Sequence, residues 1–146
     1  MDVPITNGGG PMQMPITLMY ASIMAIFALV LSFKAGGFRG KSGISVLFGE
    51  PANMELVEKV RRHQNFLEYV PIFLILFGAL ELAGASSMFL YIVGDLLIVF
   101  RIAHAIGLKH DNMGHPGRLI GAGGTALLTL VVAGYGLWMS VNALFL

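Results

Sequence analysis

The stretch Arg61–Leu82, RRHQNFLEYVPIFLILFGALEL, decides how this chain is read. From Phe66 onward it is apolar enough to enter a bilayer. Just before and within that run, Arg61, Asn65 and Glu68 stand at i, i+4 and i+7, so they project from one helix face. A cation, an amide and a carboxylate at the mouth of a span are costly to desolvate, and ionisable groups in spans point to function. Together they read as one wall of a site for a small zwitterionic or anionic ligand. A solvated interfacial surface would account for Arg61 and Asn65. It accounts poorly for Glu68, which lies inside the apolar run.

The rest of the chain fits a bilayer. Its 146 residues are 56% hydrophobic and only 12% charged, with a mean hydropathy of +0.79. A soluble domain carries about 25% charged residues. The expected class is all-α and integral to the membrane, with residues 1–146 forming a single domain. The net charge of +1 gives no reason to expect a nucleic-acid partner. There is no cysteine, which excludes disulfides, thiolate metal sites and a protein-borne thiol nucleophile. Any thiol chemistry must therefore use a thiol that arrives with a substrate. The amino terminus, MDVPITNGGGPMQMP, lacks the basic region of a cleaved signal and is expected to lead into a retained span.

A hydrocarbon core of about 30 Å is crossed by about 20 apolar residues. Four spans are expected, at about 16–33, 66–82, 86–108 and 119–146. The bases lie at Lys34, Arg39, Lys41, Lys59, Arg61 and Arg62 between spans one and two, and at Lys109 and Arg118 between spans three and four. Arg101 ends span three on the same side. The positive-inside rule then puts both basic loops in the cytoplasm and both termini on the non-cytoplasmic side. The second helix is expected to start near residue 54, with Asn53 as its N-cap, and to project a few turns beyond the bilayer. Pro71 is expected to kink it beside Glu68. The glycine-rich segment Ala35–Glu50 reads as a flexible cytoplasmic loop.

The remaining polar groups divide as follows. Arg101 and His104 share a face of span three. Arg101 either snorkels to the interface or faces the bundle, paired with Glu68 or a ligand carboxylate. His104 alone reads as a helix–helix hydrogen-bonder, and without a second ligand at metal spacing no metal site is expected. Arg118 is either a topological anchor or a fixed cation beside a reactive anion. Gly117, Gly121 and Thr125 form a close-packing series. Glu81 and Asp95 receive no role.

Arg61-x-x-x-Asn65-x-x-Glu68-Tyr69-x-Pro71, Arg101-x-x-His104 and Arg118-x-x-Gly121 resemble the MAPEG family, membrane-associated proteins in eicosanoid and glutathione metabolism. The likeness is greatest to short bacterial members and covers essentially the whole chain. It implies a MAPEG-like four-helix subunit, a homotrimer, and glutathione in clefts between subunits that open to the cytoplasm. It implies that Arg61, Asn65 and Glu68 contact the tripeptide, with Tyr69 nearby and Arg101 and His104 contributed by the third helix. Arg118 corresponds to the arginine that steadies the thiolate. Arg39 or Lys41 is the first-loop base that also reaches glutathione. The pattern departs at Leu108 and Ala122, where eicosanoid-forming members carry tyrosines, and at Gln64, where some carry a base.

The combined expectation is a glutathione S-transferase-like or peroxidase-like protein of the bacterial inner membrane. It would activate the glutathione thiol against a lipophilic electrophile or hydroperoxide, in a detoxification role. The alternative is a non-catalytic membrane protein that binds a lipid headgroup or a thiol metabolite. A small transporter fits less well, because no span is broken at a midplane site.

Overall fold

The computed structural model describes residues 13–145, so most of the amino tail lies outside the described residues. It has four helices: α1 Pro15–Ser42, α2 Met54–Leu82, α3 Ser87–Gly107 and α4 Pro116–Phe145. All four are long and apolar enough to cross a membrane. Among the described residues there is no strand. The short turn 83–86 reverses the chain between α2 and α3. All nine bases consequently gather at one end of the bundle, where α1 and α3 finish and α2 and α4 begin.

The local sequence explains the helix ends. Asn53 caps α2 by accepting from the Leu56 N–H at 3.1 Å. The N-cap of α1, Met14, makes no side-chain bond, and Pro15 occupies the first turn. The exposed amides of α1 are met from another helix. Glu81, in the last turn of α2, accepts from Ile16 N at 2.9 Å and Thr17 N at 2.6 Å. Its charge thereby sits at the positive end of the α1 dipole. α2 runs on through Pro71 without a break in its helical assignment.

One expectation is corrected. Of the expected loop Ala35–Glu50 the first half is helical, because α1 continues through Gly36, Gly37 and Gly40 to Ser42 and stops at Gly43 with φ 69°, while residues 43–50 lie outside the helices. Glycine's low helix propensity costs about 1 kcal/mol per residue, and long-range ties oppose it here. The Phe38 ring lies 5.2 Å from Lys59 Nζ on α2, and Arg39 Nη1 donates to the Leu47 carbonyl at 2.8 Å.

The core runs between the helices and is led by aromatic groups. Tyr20, Phe66, Phe73 and Phe77 are buried against Leu90, Leu97 and Val132. Outward, Phe33, Ile75, Met88, Leu130 and Leu144 are each at least 70% exposed, as a lipid-facing surface requires. Tyr20 crosses from α1 to α3, where its hydroxyl donates to Asp95 at 2.7 Å. Its ring fills the space a side chain at Gly94 would need. Thus Glu81 and Asp95, without assigned roles in the sequence, each tie α1 to a neighbouring helix.

Replacing Glu81 with Ala is expected to remove two charge-assisted bonds and destabilise the fold by about 1–2 kcal/mol. Thermal unfolding in detergent, followed by the fluorescence of the one tryptophan, would register this as a lower midpoint.

Candidate functional site

α2 presents Arg61, Asn65, Glu68 and Tyr69 at the basic end of the bundle. Arg61 Nη1 lies 3.6 Å from Glu68 Oε1, and both side chains are half exposed. Arg61 also donates to Gln64 Oε1 at 3.3 Å. Such an open pair is worth little by itself. Asn65 faces inward, and its Oδ1 accepts from Arg101 Nη2 at 2.9 Å.

Arg101 faces the bundle rather than snorkelling. It is 2% exposed, and its guanidinium lies 5.4 Å from the Phe66 ring centroid. Its partner is the Asn65 amide, not Glu68, which corrects one of the two pairings expected from the sequence. Glu68 points to the exposed side of α2, where Arg61 takes it. Arg101 Nε has no hydrogen-bond partner, and the guanidinium has no carboxylate partner among the described residues.

His104 departs from expectation in a similar way. It is 3% exposed, and its Nδ1 has no partner among the described residues. Its position follows from close packing of α4 on α3. A side chain added at Gly121 would overlap the His104 backbone and Cβ, so only glycine lets the helices meet there. Thr125 satisfies its hydroxyl on the Gly121 carbonyl at 2.7 Å.

Two adjoining clefts collect these groups. The first, of about 220 Å³, is lined by residues that include Arg61, Asn65, His104 and Arg118. The second, of about 350 Å³, is lined by Asn65, Tyr69 and Arg101 from α2 and α3, and by Ala122 and Thr125 from α4. Asn65 borders both. Neither Glu68 nor Arg39 lines either cleft. Arg39 is instead held by the carbonyls of its own connecting segment. The pair of clefts offers three arginines, one of them with a buried N–H that has no partner among the described residues, a chemistry suited to carboxylates or a thiolate.

The MAPEG family model matches residues 17–138. The chain belongs to the MAPEG family. Inner membrane protein YecN of Escherichia coli K12 is 29% identical over 118 residues, covering 81% of this chain and 88% of that protein. The YecN of Escherichia coli O6:H1 strain CFT073 matches over the same length at the same identity. No solved structure matches the chain. In this MAPEG protein the site residues that the resemblance implied, from Arg39 to Arg118, all fall inside the matched segment.

One polar cluster escaped the sequence reading. Glu58 is buried, receives Arg62 Nη2 at 2.9 Å, and accepts from His110 N at 2.9 Å with His110 Nδ1 at 2.7 Å. Arg62 also donates to the Leu108 carbonyl at 2.9 Å, which locks the start of α2 to the end of α3. The i, i+4 spacing of Glu58 and Arg62 was the available signal. Asp111 joins Glu58 and His110 within 4.8 Å, a donor set the sequence reading did not consider. Arg62 and the His110 N–H engage the two carboxylate oxygens of Glu58, so the cluster fastens the α3–α4 loop to the first turns of α2.

Asn65→Leu is expected to leave the buried Arg101 guanidinium without its protein acceptor, at a cost of about 1–3 kcal/mol. Asn65→Asp would supply a charge partner and should raise the thermal midpoint above that of the Leu variant. Equal midpoints for the two would show that the bond contributes nothing.

Proposed function

We propose that the protein is a glutathione-dependent membrane transferase or peroxidase. In this reading it works as a homotrimer in the bacterial inner membrane, with its basic loops in the cytoplasm and both termini on the opposite side. The observation that carries the reading is the unspent polar capacity around Asn65: among the described residues Arg101 Nε and His104 Nδ1 are buried without hydrogen-bond partners, beside clefts that Arg61 and Arg118 also line. Desolvated polar groups of this kind are costly unless a ligand meets them. Membership of the MAPEG family supports glutathione as that ligand.

In this assignment Arg61 and Arg101 bind carboxylates, Asn65 orients Arg101, and Glu68 takes the amino group. Tyr69 and His104 complete the walls, and Arg39 or Lys41 adds a base from the end of α1. Glu68 and Arg39 line neither cleft within one subunit, so their contribution requires the ligand to extend beyond these walls or a neighbouring subunit to supply it. Bound there, glutathione supplies a thiol for a lipophilic electrophile or, with two equivalents, the electrons to reduce a hydroperoxide to an alcohol and water. Arg118 provides a fixed cation at the first turn of α4. A thiol of ordinary pKa about 8.5 ionises more readily beside such a charge. The polar groups face the aqueous end and apolar walls face lipid, so both reactants meet at the interface.

A second reading rests on one observation. Leu108 and Ala122 border the clefts where a tyrosine hydroxyl would add a donor. That favours a non-catalytic membrane protein that binds a thiol metabolite or lipid headgroup in the same place.

Arg118→Ala is expected to lower turnover roughly a hundredfold, as loss of one transition-state donor does, while changing glutathione affinity far less. The ultraviolet thiolate signal on adding glutathione, read beside calorimetric affinity, separates the two readings. Binding without a thiolate signal in the parent protein would favour the non-catalytic one. An equal loss of turnover and affinity in the variant would remove Arg118 from the chemistry.

A further inference from the structure

A third cavity, of about 310 Å³, opens on the other side of the α2–α3 pair. No residue of α4 lines it, and no residue of α1 lines either cleft described above. Three bases stand at this cavity, Lys34 from α1 and Lys59 and Arg62 from α2, and no acid does. The rest of its wall is apolar and comes from α1 and α3, including Phe27, Leu31 and Ile102. Phe27, Leu31 and Lys34 occupy one face of α1 at successive turns, so the groove leads from a charged mouth down into the apolar span.

The charges at the mouth are partly spent. Lys59 pairs with Glu55 at 3.0 Å, and Arg62 uses Nε and Nη2 on Leu108 and Glu58. Among the described residues Arg62 Nη1 makes no hydrogen bond, and exposed Lys34 has neither an ion pair nor a hydrogen bond. Two carboxylates thus answer three cations, and both lie outside the groove. The remainder is about one positive charge at the edge of a bilayer-spanning segment.

We propose that this groove is a binding site for an anionic phospholipid. The phosphodiester would sit among Lys34, Lys59 and Arg62, and one acyl chain would lie along Phe27, Leu31 and Ile102. A free phosphate would match the mouth but leave the apolar wall unused, and a zwitterionic lipid would cancel its own charge there. Charge and wall together select a lipid with a net negative head. The site is separate from the proposed glutathione clefts, and it stands or falls independently of them.

Native mass spectrometry of the full chain in mild detergent tests the proposal. The probes are phosphatidylglycerol, phosphatidylcholine with the same acyl chains, and inorganic phosphate. Phosphatidylglycerol should be retained in preference to phosphatidylcholine and should not be displaced by phosphate. Lys34→Gln should weaken its retention about fivefold, the loss expected for one interfacial base. Ile102→Trp, at an exposed position on the wall, should block the acyl path and abolish the preference with every charge kept. Lys109→Gln, a base at the same end but outside the groove, should change nothing. Equal retention of the two lipids would overturn the proposal. So would displacement by phosphate, or an equal loss in the Lys34 and Lys109 variants.

Discussion

A buried guanidinium held by an amide is the interaction on which the polar end of this bundle depends. Arg101 sits in the bundle with Asn65 as its hydrogen-bond acceptor and Phe66 against its face. A carboxylate in place of Asn65 would neutralise the charge and satisfy more of its donors. The amide orients the group and leaves its charge available. Burial of an ion is tolerated when it is well bonded, and an amide partner satisfies only part of what a buried guanidinium offers. The neighbouring histidine, pressed beneath Gly121, adds a second buried group, with a ring nitrogen that meets no partner among the described residues.

Much of the fold was legible because a bilayer imposes simple rules on sequence. Four apolar runs of sufficient length, with every base at one end, define the helices and how they alternate. Asn53 ahead of Met54 marked the start of α2 by ordinary capping chemistry. The glycine-rich end of α1 was misread because helix propensity is a local property. The contacts at that end reach beyond the helix: Phe38 meets Lys59 of α2, and Arg39 holds the carbonyls of the segment that follows.

The polar groups at the basic end were legible in their places along the helices more than in their pairing. Spacing on α2 put Arg61, Asn65 and Glu68 on one face, but a face spans a wide arc. Glu68 falls at its exposed edge and Asn65 at its inner one, and this difference decides which of them Arg101 meets. Glu58 illustrates the opposite limit. Its partner His110 is distant in sequence, and only the closing of α3 and α4 onto α2 brings them together.

The carboxylate of Glu81 has a bearing on how the chain is built. The first amides of α1 find their acceptor in the last turn of α2, so the start of one helix is completed by the end of the next. Until α2 has been synthesised and has crossed the bilayer, those amides must be served by water or headgroups. The opening turn of α1 is therefore finished only when the end of α2 is in place beside it.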